Sequence, residues 1–484
     1  MVLLSCPETD GLSGQTALQR RTGREAMKGK SARQTERADD SGRPRDLGPG
    51  EQGVMNLRRI AIGLLIAFTV SFFICSTVNT INDPVFSIDF LPYHFAGQLL
   101  AQGDLASLTD YDQTGGFFAH CGPFLERFHH YFFPSSAYAT RWVYFPAYLW
   151  IFRPLASLDF PVAARIWLIF NALVCIGSVL LLWSARHRFQ PEAASRNSVF
   201  AWYLFLGLTF QPVFSNLMHG QVTGLIFFVF CLGYWLLRGQ RPFAAGLAFG
   251  FITLFKFYPA LLLVYFLFHR QWRVLAGAVT AGTALVIISL ATVGLDANIA
   301  YIQLIVSELG KGGMAAFNNE SLTGFLLHTF TSGDVNVWQD MAMAHWLTAV
   351  RLVILLITLF LFVWVMRKPR RHDGFDRDLD LSLVILFMLI ASPITWYHYY
   401  MWLIFPLVVI FDYLVQTPQL PRKYILWFAL GYALTVVEGI YIVRPFAPQA
   451  LQHMRILRIM LSQSFFGAIL LASLIWTLRS RENP

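Results

Sequence analysis

Residues 56–94 read NLRRIAIGLLIAFTVSFFICSTVNTINDPVFSIDFLPYH, and this stretch decides the fold class. Two arginines precede an apolar run at residues 60–80, which is long enough to cross the roughly 30 Å hydrocarbon core of a bilayer as one helix. Because basic residues mark the cytoplasmic side of a membrane protein, we expect this helix to leave the cytoplasm and to end on the far side. The chain then reaches Asp89, which stands among aromatic residues and close to His94.

The composition indicates a membrane protein with many spans. The chain has 484 residues, of which 56% are hydrophobic and 13% are charged, whereas a soluble domain has about 25% charged residues. The net charge of +9 lies in short clusters between apolar runs, which is typical of cytoplasmic loops and not of a nucleic-acid-binding surface. The five cysteines are scattered and form no CxxC motif, so they indicate neither a disulfide framework nor a zinc site.

The N-terminal residues 1–54 differ from the rest of the chain. They are polar, mixed in charge and rich in Ser, Gly and Arg, so we predict a disordered cytoplasmic leader. Residues 55–484 are predicted to form a single transmembrane domain. Met55 is a candidate initiator, because a short basic region and an apolar helix follow it directly. A removable signal peptide fits less well, since residues 60–80 lack a clear small-residue cleavage site.

The apolar runs alternate with basic clusters and predict about twelve spans, with both termini in the cytoplasm. The predicted spans are residues 60–80, 161–184, 198–217, 222–237, 243–256, 259–269, 274–294, 346–366, 379–395, 399–415, 424–443 and 460–478. Residues 83–160 form a long first extracytoplasmic loop, in which residues 90–100 and 144–155 are predicted to be interfacial helices. The spans around Lys256 are short, so their turn is expected inside a protein-lined cavity. The predicted fold class is therefore an all-α polytopic membrane bundle.

This topology puts a set of polar side chains on the outer side of the membrane. They are Asp89, His94, His219, Gln221, Lys256, Asn318, Asn319, Glu320, Trp396, His398 and Arg444. Ionisable residues at the ends of membrane helices are costly and tend to line a cavity. A carboxylate there could deprotonate an acceptor hydroxyl, and cations could stabilise an anionic leaving group such as phosphate. The sequence contains no GxxxxGK[ST] motif and no GxGxxG motif before a helix, so an activated lipid is the expected energy source.

Several motifs occur in one order over roughly residues 60–415. They are IDF, YHFAGQLLAQGD and YD in the first outer loop, then YFPAYLWIFRPLASL, AARIWLIFN, HGQVTGLIFF, AAGLAFGFITLFKFYPALLLV, HRQWR, NNESLTGFL and SPITWYHYYMWLIFPL. Together they resemble the family 87 glycosyltransferases of the GT-C superfamily, which include polyprenol-phosphate-mannose-dependent mannosyltransferases. The resemblance implies a GT-C-like bundle with its active site at the outer face of the cytoplasmic membrane.

The resemblance also implies a reaction. The donor would be a polyprenyl-phosphate hexose or pentose, transfer would invert the anomeric carbon, the acceptor would be a lipid or glycan, and no metal or other cofactor would be needed. Asp89 matches the acidic residue that acts as the general base. The donor phosphate or the acceptor would be contacted by His219, Gln221, Lys256, Asn319 and His398, with Trp396 beside them. The pair Asp110 and Asp112 is interpreted as a turn element, not as a pair of metal ligands.

Each candidate residue also has a structural interpretation. Asp89 could cap a helix, Lys256 could extend its ammonium group to the membrane surface, and His398 with Trp396 could belong to an interfacial aromatic belt. The remaining alternatives are a polar turn at His219 and Gln221, helix capping at Asn319 or Ser321, a structural His94, an interfacial anchor at Arg444 and no metal at His129 and His130. At the level of function, the alternatives are a transporter or flippase of a lipid-linked sugar and, less well supported, a non-catalytic scaffold.

Overall fold

The computed structural model describes residues 49–82, 87–105, 107, 142–187, 196–309, 313–336, 338, 341–367, 375–443 and 454–481. The chain falls into two units, residues 1–61 and 62–484. The first is described only from residue 49, where it is helical, so residues 49–54 of the predicted leader belong to a helix. The described residues do not include Asp110, Asp112, His129, His130 and Arg444, so the predictions for these residues lie outside them.

The described residues are mostly helical and contain no named strand. The helices of the N-terminal half are α1 (Pro49–Asn82), α2 (Leu91–Gln102), α3 (Leu149–Phe152), α4 (Phe160–His187), α5 (Arg196–Leu208), α6 (Gln211–His219), α7 (Thr223–Arg238), α8 (Pro242–Phe255), α9 (Ala260–Phe268) and α10 (Trp272–Thr292). Those that follow are α11 (Leu295–Leu309), α12 (Leu322–Phe330), α13 (His345–Met366), α14 (Phe375–Ala391), α15 (Ile404–Gln416), α16 (Lys423–Val436), α17 (Gly439–Val443), α18 (Arg455–Met460) and α19 (Gln463–Ser480). Short 3-10 segments lie at Ile88–Phe90, Pro146–Tyr148, Arg153–Leu155 and Tyr397–Leu403.

Every predicted span coincides with a helix or a pair of helices, but fewer qualify as full membrane spans. By length and composition, five segments of the described chain are long and apolar enough to cross a membrane. These segments are Asn56–Asn82, Phe160–His187, Trp272–Thr292, His345–Trp364 and Tyr397–Gln416. The pair α5 and α6, bent by 44°, would make a sixth. The all-α membrane fold is thus supported, while the count of about twelve spans stays a prediction.

Two close helix contacts fix the position of α8. A Cβ atom on Gly246 would lie 2.0 Å from the carbonyl oxygen of Val274, and one on Gly250 would lie 2.4 Å from that of Ala278. Glycines four residues apart on an apolar helix allow this approach of two backbones, so α8 packs directly on α10. The helix ends at Phe255, and Lys256 has an extended backbone before α9 begins. Lys256 therefore lies in the break between two helices that close packing holds in place.

The segment between α1 and α4 packs on the bundle through an aromatic cluster. The ring of Phe90 is fully buried and stacks on Trp167 of α4, with 5.5 Å between ring centroids. Tyr93 of α2 packs on Phe152 of α3, at 4.9 Å. Burial of large aromatic rings is among the strongest apolar contributions to packing, so the residues that directly follow Asp89 are anchored in the bundle.

Candidate functional site

The turn after α6 docks the segment that carries Asp89. Gly220 has a φ of +68°, which favours glycine. A Cβ atom there would also lie 2.9 Å from Cα of Ser87 and from Cβ of Phe90. The backbone N–H of Ser87 donates to the carbonyl of Met218 at 2.6 Å. The glycine therefore allows residues 87–90 to lie directly on the end of α6.

Asp89 is half-buried, and one of its two carboxylate oxygens is held by a side chain. Gln221 Nε2 donates to Asp89 Oδ2 at 2.8 Å. The other end of the same amide, Oε1, accepts from the Tyr93 hydroxyl at 3.3 Å, and that hydroxyl lies 2.8 Å from the Tyr144 hydroxyl. In the part of the chain that the structure describes, no backbone N–H bonds the Asp89 side chain, so the carboxylate is not a helix cap there. Its Oδ1 is left for another partner.

Lys256 projects its ammonium group into the same region. Its Nζ lies 4.1 Å from the ring centroid of Tyr399 and 5.7 Å from that of Tyr144. Lys256 is 8% exposed, and Nζ is buried without a hydrogen-bond partner among the described residues. Burial lowers the pKa of Lys256 to about 7, although the nearby charge of Asp89 raises it. A lysine that extended to the membrane surface would instead have its ammonium group in water.

Two histidines complete this group of side chains. The ring centroids of His219 and His398 are 6.1 Å apart, and the charge of Lys256 also reaches His398. His398 is buried, and within the described chain its Nε2 has no hydrogen-bond partner. His219 Nδ1 donates to the carbonyl of Ser215 at 2.7 Å, which leaves Nε2 for a ligand. One carboxylate and three basic side chains are thus gathered in one region.

The chain also matches a known family. Residues 142–393, more than half of the chain, match the sequence model of Glycosyltransferase family 87. The chain belongs to glycosyltransferase family 87. The matched region contains His219, Gln221, Lys256 and Asn319, while Asp89 lies before it and His398 lies just after it.

Several curated relatives of this family 87 chain carry one kind of name. A polyprenol-phosphate-mannose-dependent alpha-(1-2)-phosphatidylinositol mannoside mannosyltransferase of Mycolicibacterium smegmatis is 27% identical over 306 residues, which cover 60% of this chain and 64% of the relative. The protein of the same name from Mycobacterium tuberculosis is 25% identical over 270 residues, 55% of this chain and 60% of the relative. A phosphatidylinositol pentamannoside mannosyltransferase of M. smegmatis is 28% identical over 256 residues, 52% of this chain and 57% of the relative. The chain thus spans about three fifths of these relatives. No solved structure matches the chain significantly.

Asn319 of the family 87 chain uses its amide to hold the segment that leads to His398. Its Oδ1 accepts from the backbone N–H of Thr395 at 3.0 Å and from the hydroxyl of Ser321 at 2.9 Å, and its Nδ2 donates to the carbonyl of Met314 at 2.8 Å. Asn319 also pairs with the half-buried Trp396 through an isolated β-bridge. The structure therefore places Asn319 as a support of the 3-10 segment that carries His398. Its predicted contact with substrate stays a prediction.

Three other polar residues that the sequence analysis names lie away from this group. Ser321 is the N-cap of α12, where its hydroxyl accepts from the backbone N–H of Gly324 at 3.0 Å, so the capping interpretation is confirmed there. Glu320 is fully buried, and burial together with the charge of Glu438 raises the pKa of its carboxyl well above the usual range. His94 Nε2 lies 3.0 Å from the carbonyl oxygen of Leu158, inside the aromatic cluster.

Sequence reasoning missed the tyrosines that line this site. Tyr93 and Tyr144 continue the hydrogen bonds from Gln221, and Tyr399 packs under Lys256. A weak signal was available, since Tyr93 follows Asp89 by four residues and Tyr399 follows His398 directly. Within the described residues, no group of three or more His, Cys, Asp or Glu side chains could hold a metal ion. The expectation of a metal-free reaction stays a prediction.

Proposed function

We propose that this protein is a membrane glycosyltransferase that moves a sugar from a polyprenyl-phosphate donor to a hydroxyl of a lipid or glycan acceptor. Mannose is the first candidate for the sugar, because the named relatives depend on polyprenol-phosphate mannose. Another hexose is the alternative. The observation that carries the proposal is a single carboxylate, Asp89, fixed beside two buried basic side chains whose nitrogens have no partner among the described residues, Lys256 Nζ and His398 Nε2.

The chemistry follows from these groups. The acceptor oxygen attacks C1 of the donor sugar, a new C1–O bond forms, and the acceptor proton passes to Asp89 Oδ1. The bond from C1 to the phosphate oxygen breaks with its electron pair, and polyprenyl phosphate leaves. Lys256 in its charged form stabilises the charge that develops on the leaving phosphate, and an N–H at Nε2 of the His398 ring can donate to it. A buried ammonium without a partner gains more from an anion than an exposed one does.

A single displacement with inversion suits this site. A retaining enzyme would need a second carboxylate about 5–5.5 Å from the first to act as nucleophile. Glu320 is the other carboxylate in the motifs that the sequence analysis names. Its charge interacts with Glu438, and its carboxyl lies towards Ser464 and Phe465. The phosphate leaving group also needs no general acid, so one base is sufficient.

The proposal is tested by transfer from a panel of radiolabelled polyprenyl-phosphate sugars to membrane lipid extract, with the protein in lipid nanodiscs. Asp89→Asn should insert and unfold like the wild type but lose about 100- to 10,000-fold in the rate of transfer, the usual contribution of a general base. Asp159→Asn is the matched control, because Asp159 is an exposed carboxylate of the same loop. Full activity of Asp89→Asn, or equal loss in both variants, would contradict the proposed mechanism.

We further propose that the protein is a multi-pass protein of the cytoplasmic membrane, with both termini in the cytoplasm and this site at the outer face. A single-cysteine variant at Asp159 should then react with a membrane-impermeant maleimide added to intact cells. The alternative, a transporter or flippase of a lipid-linked sugar, has no observation in its favour in the described residues. It would predict movement of the donor across a vesicle membrane without any transfer to acceptor.

A further inference from the structure

The amide of Gln221 has two different ends, and both are used. Nε2 donates to Asp89 Oδ2, while Oε1 accepts from the Tyr93 hydroxyl. If the amide rotated by half a turn, its oxygen would face the carboxylate oxygen, and two acceptors would repel each other. The carboxylate can only accept, so it turns the Nε2 end of Gln221 towards itself, and the Tyr93 hydroxyl holds the amide in that orientation by donating to Oε1.

The direction of the remaining hydrogen bond follows from the same rule. The hydroxyls of Tyr93 and Tyr144 lie 2.8 Å apart, and either could donate by geometry alone. Because Gln221 Oε1 can only accept, the proton of Tyr93 is used there, and Tyr144 must donate to Tyr93. All the protons then point one way, from Tyr144 through Tyr93 and Gln221 to Asp89. Such aligned hydrogen bonds polarise and strengthen one another in a buried site.

Burial makes this chain of hydrogen bonds stiff. Tyr93 and Tyr144 are 2% and 7% exposed, and their rings contact each other at 5.3 Å between centroids. Tyr144 also packs on Phe255, the last residue of α8, and its ring faces the ammonium of Lys256. The two tyrosines thus connect the carboxylate to the element that carries Lys256.

We infer that Tyr93 and Tyr144 are positioning residues that orient Asp89 through Gln221, so that Oδ2 is held and Oδ1 faces the acceptor hydroxyl. The inference rests on the proposed role of Asp89 as the base. Neither tyrosine needs to touch the substrate, and their contribution is the fixed orientation of the amide. A base that rotates between two orientations transfers the proton in only part of its encounters.

The test measures kcat, the donor KM and the pH profile of transfer for Tyr93→Phe. This variant should lose about 3- to 10-fold in kcat, the worth of one hydrogen bond, with the donor KM changed less than about twofold. Its acid limb should move to higher pH, because a carboxylate with a weaker hydrogen bond is less stabilised in its charged form. Gln221→Glu should move the acid limb further in the same direction, since it puts a like charge beside Asp89.

Tyr148→Phe is the matched control. Tyr148 is a buried tyrosine of the same cluster, and its hydroxyl donates to the backbone carbonyl of Phe251, not towards Asp89. It should leave the acid limb unchanged, whatever it does to stability. An unchanged acid limb and kcat in Tyr93→Phe, or an equal shift in Tyr148→Phe, would overturn the inference. If Tyr93→Phe does not fold, Tyr144→Phe gives the same readout. If the wild type shows no transfer, the proposed function itself is refuted. If the wild type is active and Tyr93→Phe changes neither kcat nor the acid limb, only the positioning role of the tyrosines is refuted.

Discussion

The strongest quantitative prediction concerns the charge of Lys256. Its ammonium must be protonated to bind the donor phosphate, and burial lowers its pKa to about 7. Lys256 lies in the break between α8 and α9, outside both helices. At pH 7 about half of the free enzyme then carries this charge, and the charged fraction falls about tenfold with each further pH unit. Because kcat/KM reports groups of the free enzyme, kcat/KM for the donor should fall above pH ~7 with the same slope.

Two substitutions separate the charge of Lys256 from its other contributions. Lys256→Arg keeps a positive charge at every accessible pH, so its alkaline limb should disappear or move far upward, even if the fit of the larger group lowers activity. Lys256→Met removes the charge and should lower kcat/KM at pH 7 by about 10- to 150-fold, from the roughly 1.5–3 kcal/mol of a hydrogen bond to a charged group.

The assay is donor-dependent transfer in nanodiscs between pH 6 and pH 9, with protein integrity checked at each pH by thermal unfolding. Lys423→Gln is the control, because Lys423 also lies over a tyrosine ring, that of Tyr424 at 5.3 Å, but is exposed. Its profile should match the wild type. An alkaline limb that stays at the same pH in Lys256→Arg would refute the reasoning, since another group would then be titrating.

Two further predictions concern buried polar residues outside the group around Asp89. Asn319→Ala should lower the temperature of unfolding by several degrees, because it leaves the groups that bond its amide without partners. Each buried group without a partner costs about 1–3 kcal/mol. Unchanged thermal stability would contradict the supporting role of Asn319. Burial raises the pKa of Glu438 from its ordinary 4.5 to about 8, which destabilises the folded protein increasingly as pH rises through that window. Glu438→Gln should therefore match the wild type near pH 4.5 and unfold a few degrees higher at pH 8; an advantage that is the same at both pH values would count against it.

Much of the fold was predictable because apolar length is a strong signal. A run of about twenty apolar residues has few alternatives to a membrane helix, and the runs at residues 161–184 and 274–294 became α4 and α10. The breaks were less predictable. Pro212 interrupts residues 198–217 and bends α5 against α6 by 44°, so one predicted span became two helices. The break between α8 and α9 was predicted, because Pro259 cannot continue a helix.

The site was predictable to the extent that its residues are polar. A carboxylate, lysine or histidine at the end of an apolar run is costly, so its presence requires a reason, and Asp89, Lys256 and His398 are indeed brought together. Tyrosines carry no such signal, because they are common both in membrane interfaces and in cores. Asn319 and Ser321 show that a polar motif next to a site can also serve the backbone.

Two arginines of the basic clusters that predict the topology form buried ion pairs within the protein, which is a second reason for their positions. Arg186 is buried and forms ion pairs with Asp378 of α14 and Asp412 of α15. Arg479 pairs with Asp376 at 3.4 Å and with Asp380 at 3.0 Å. Asp376 and Asp380 are four residues apart and so share one face of α14. A buried and paired arginine need not face the anionic cytoplasmic leaflet, so it is a weaker orientation marker than an exposed one.

These ion pairs nevertheless locate the site along the bundle. On α4, Trp167 donates to the carbonyl of Gly220 beside the site, while Arg186 lies 19 residues later. That separation is about 28 Å along a helix, close to the roughly 30 Å thickness of the hydrocarbon core. The buried charges and Asp89 therefore lie near opposite ends of α4, separated by about the thickness of the hydrocarbon core. The orientation of the bundle across the membrane must then be inferred from exposed basic residues. Arg270 and Arg273 are exposed and follow α9 at its end far from Lys256, which favours a site on the outer side.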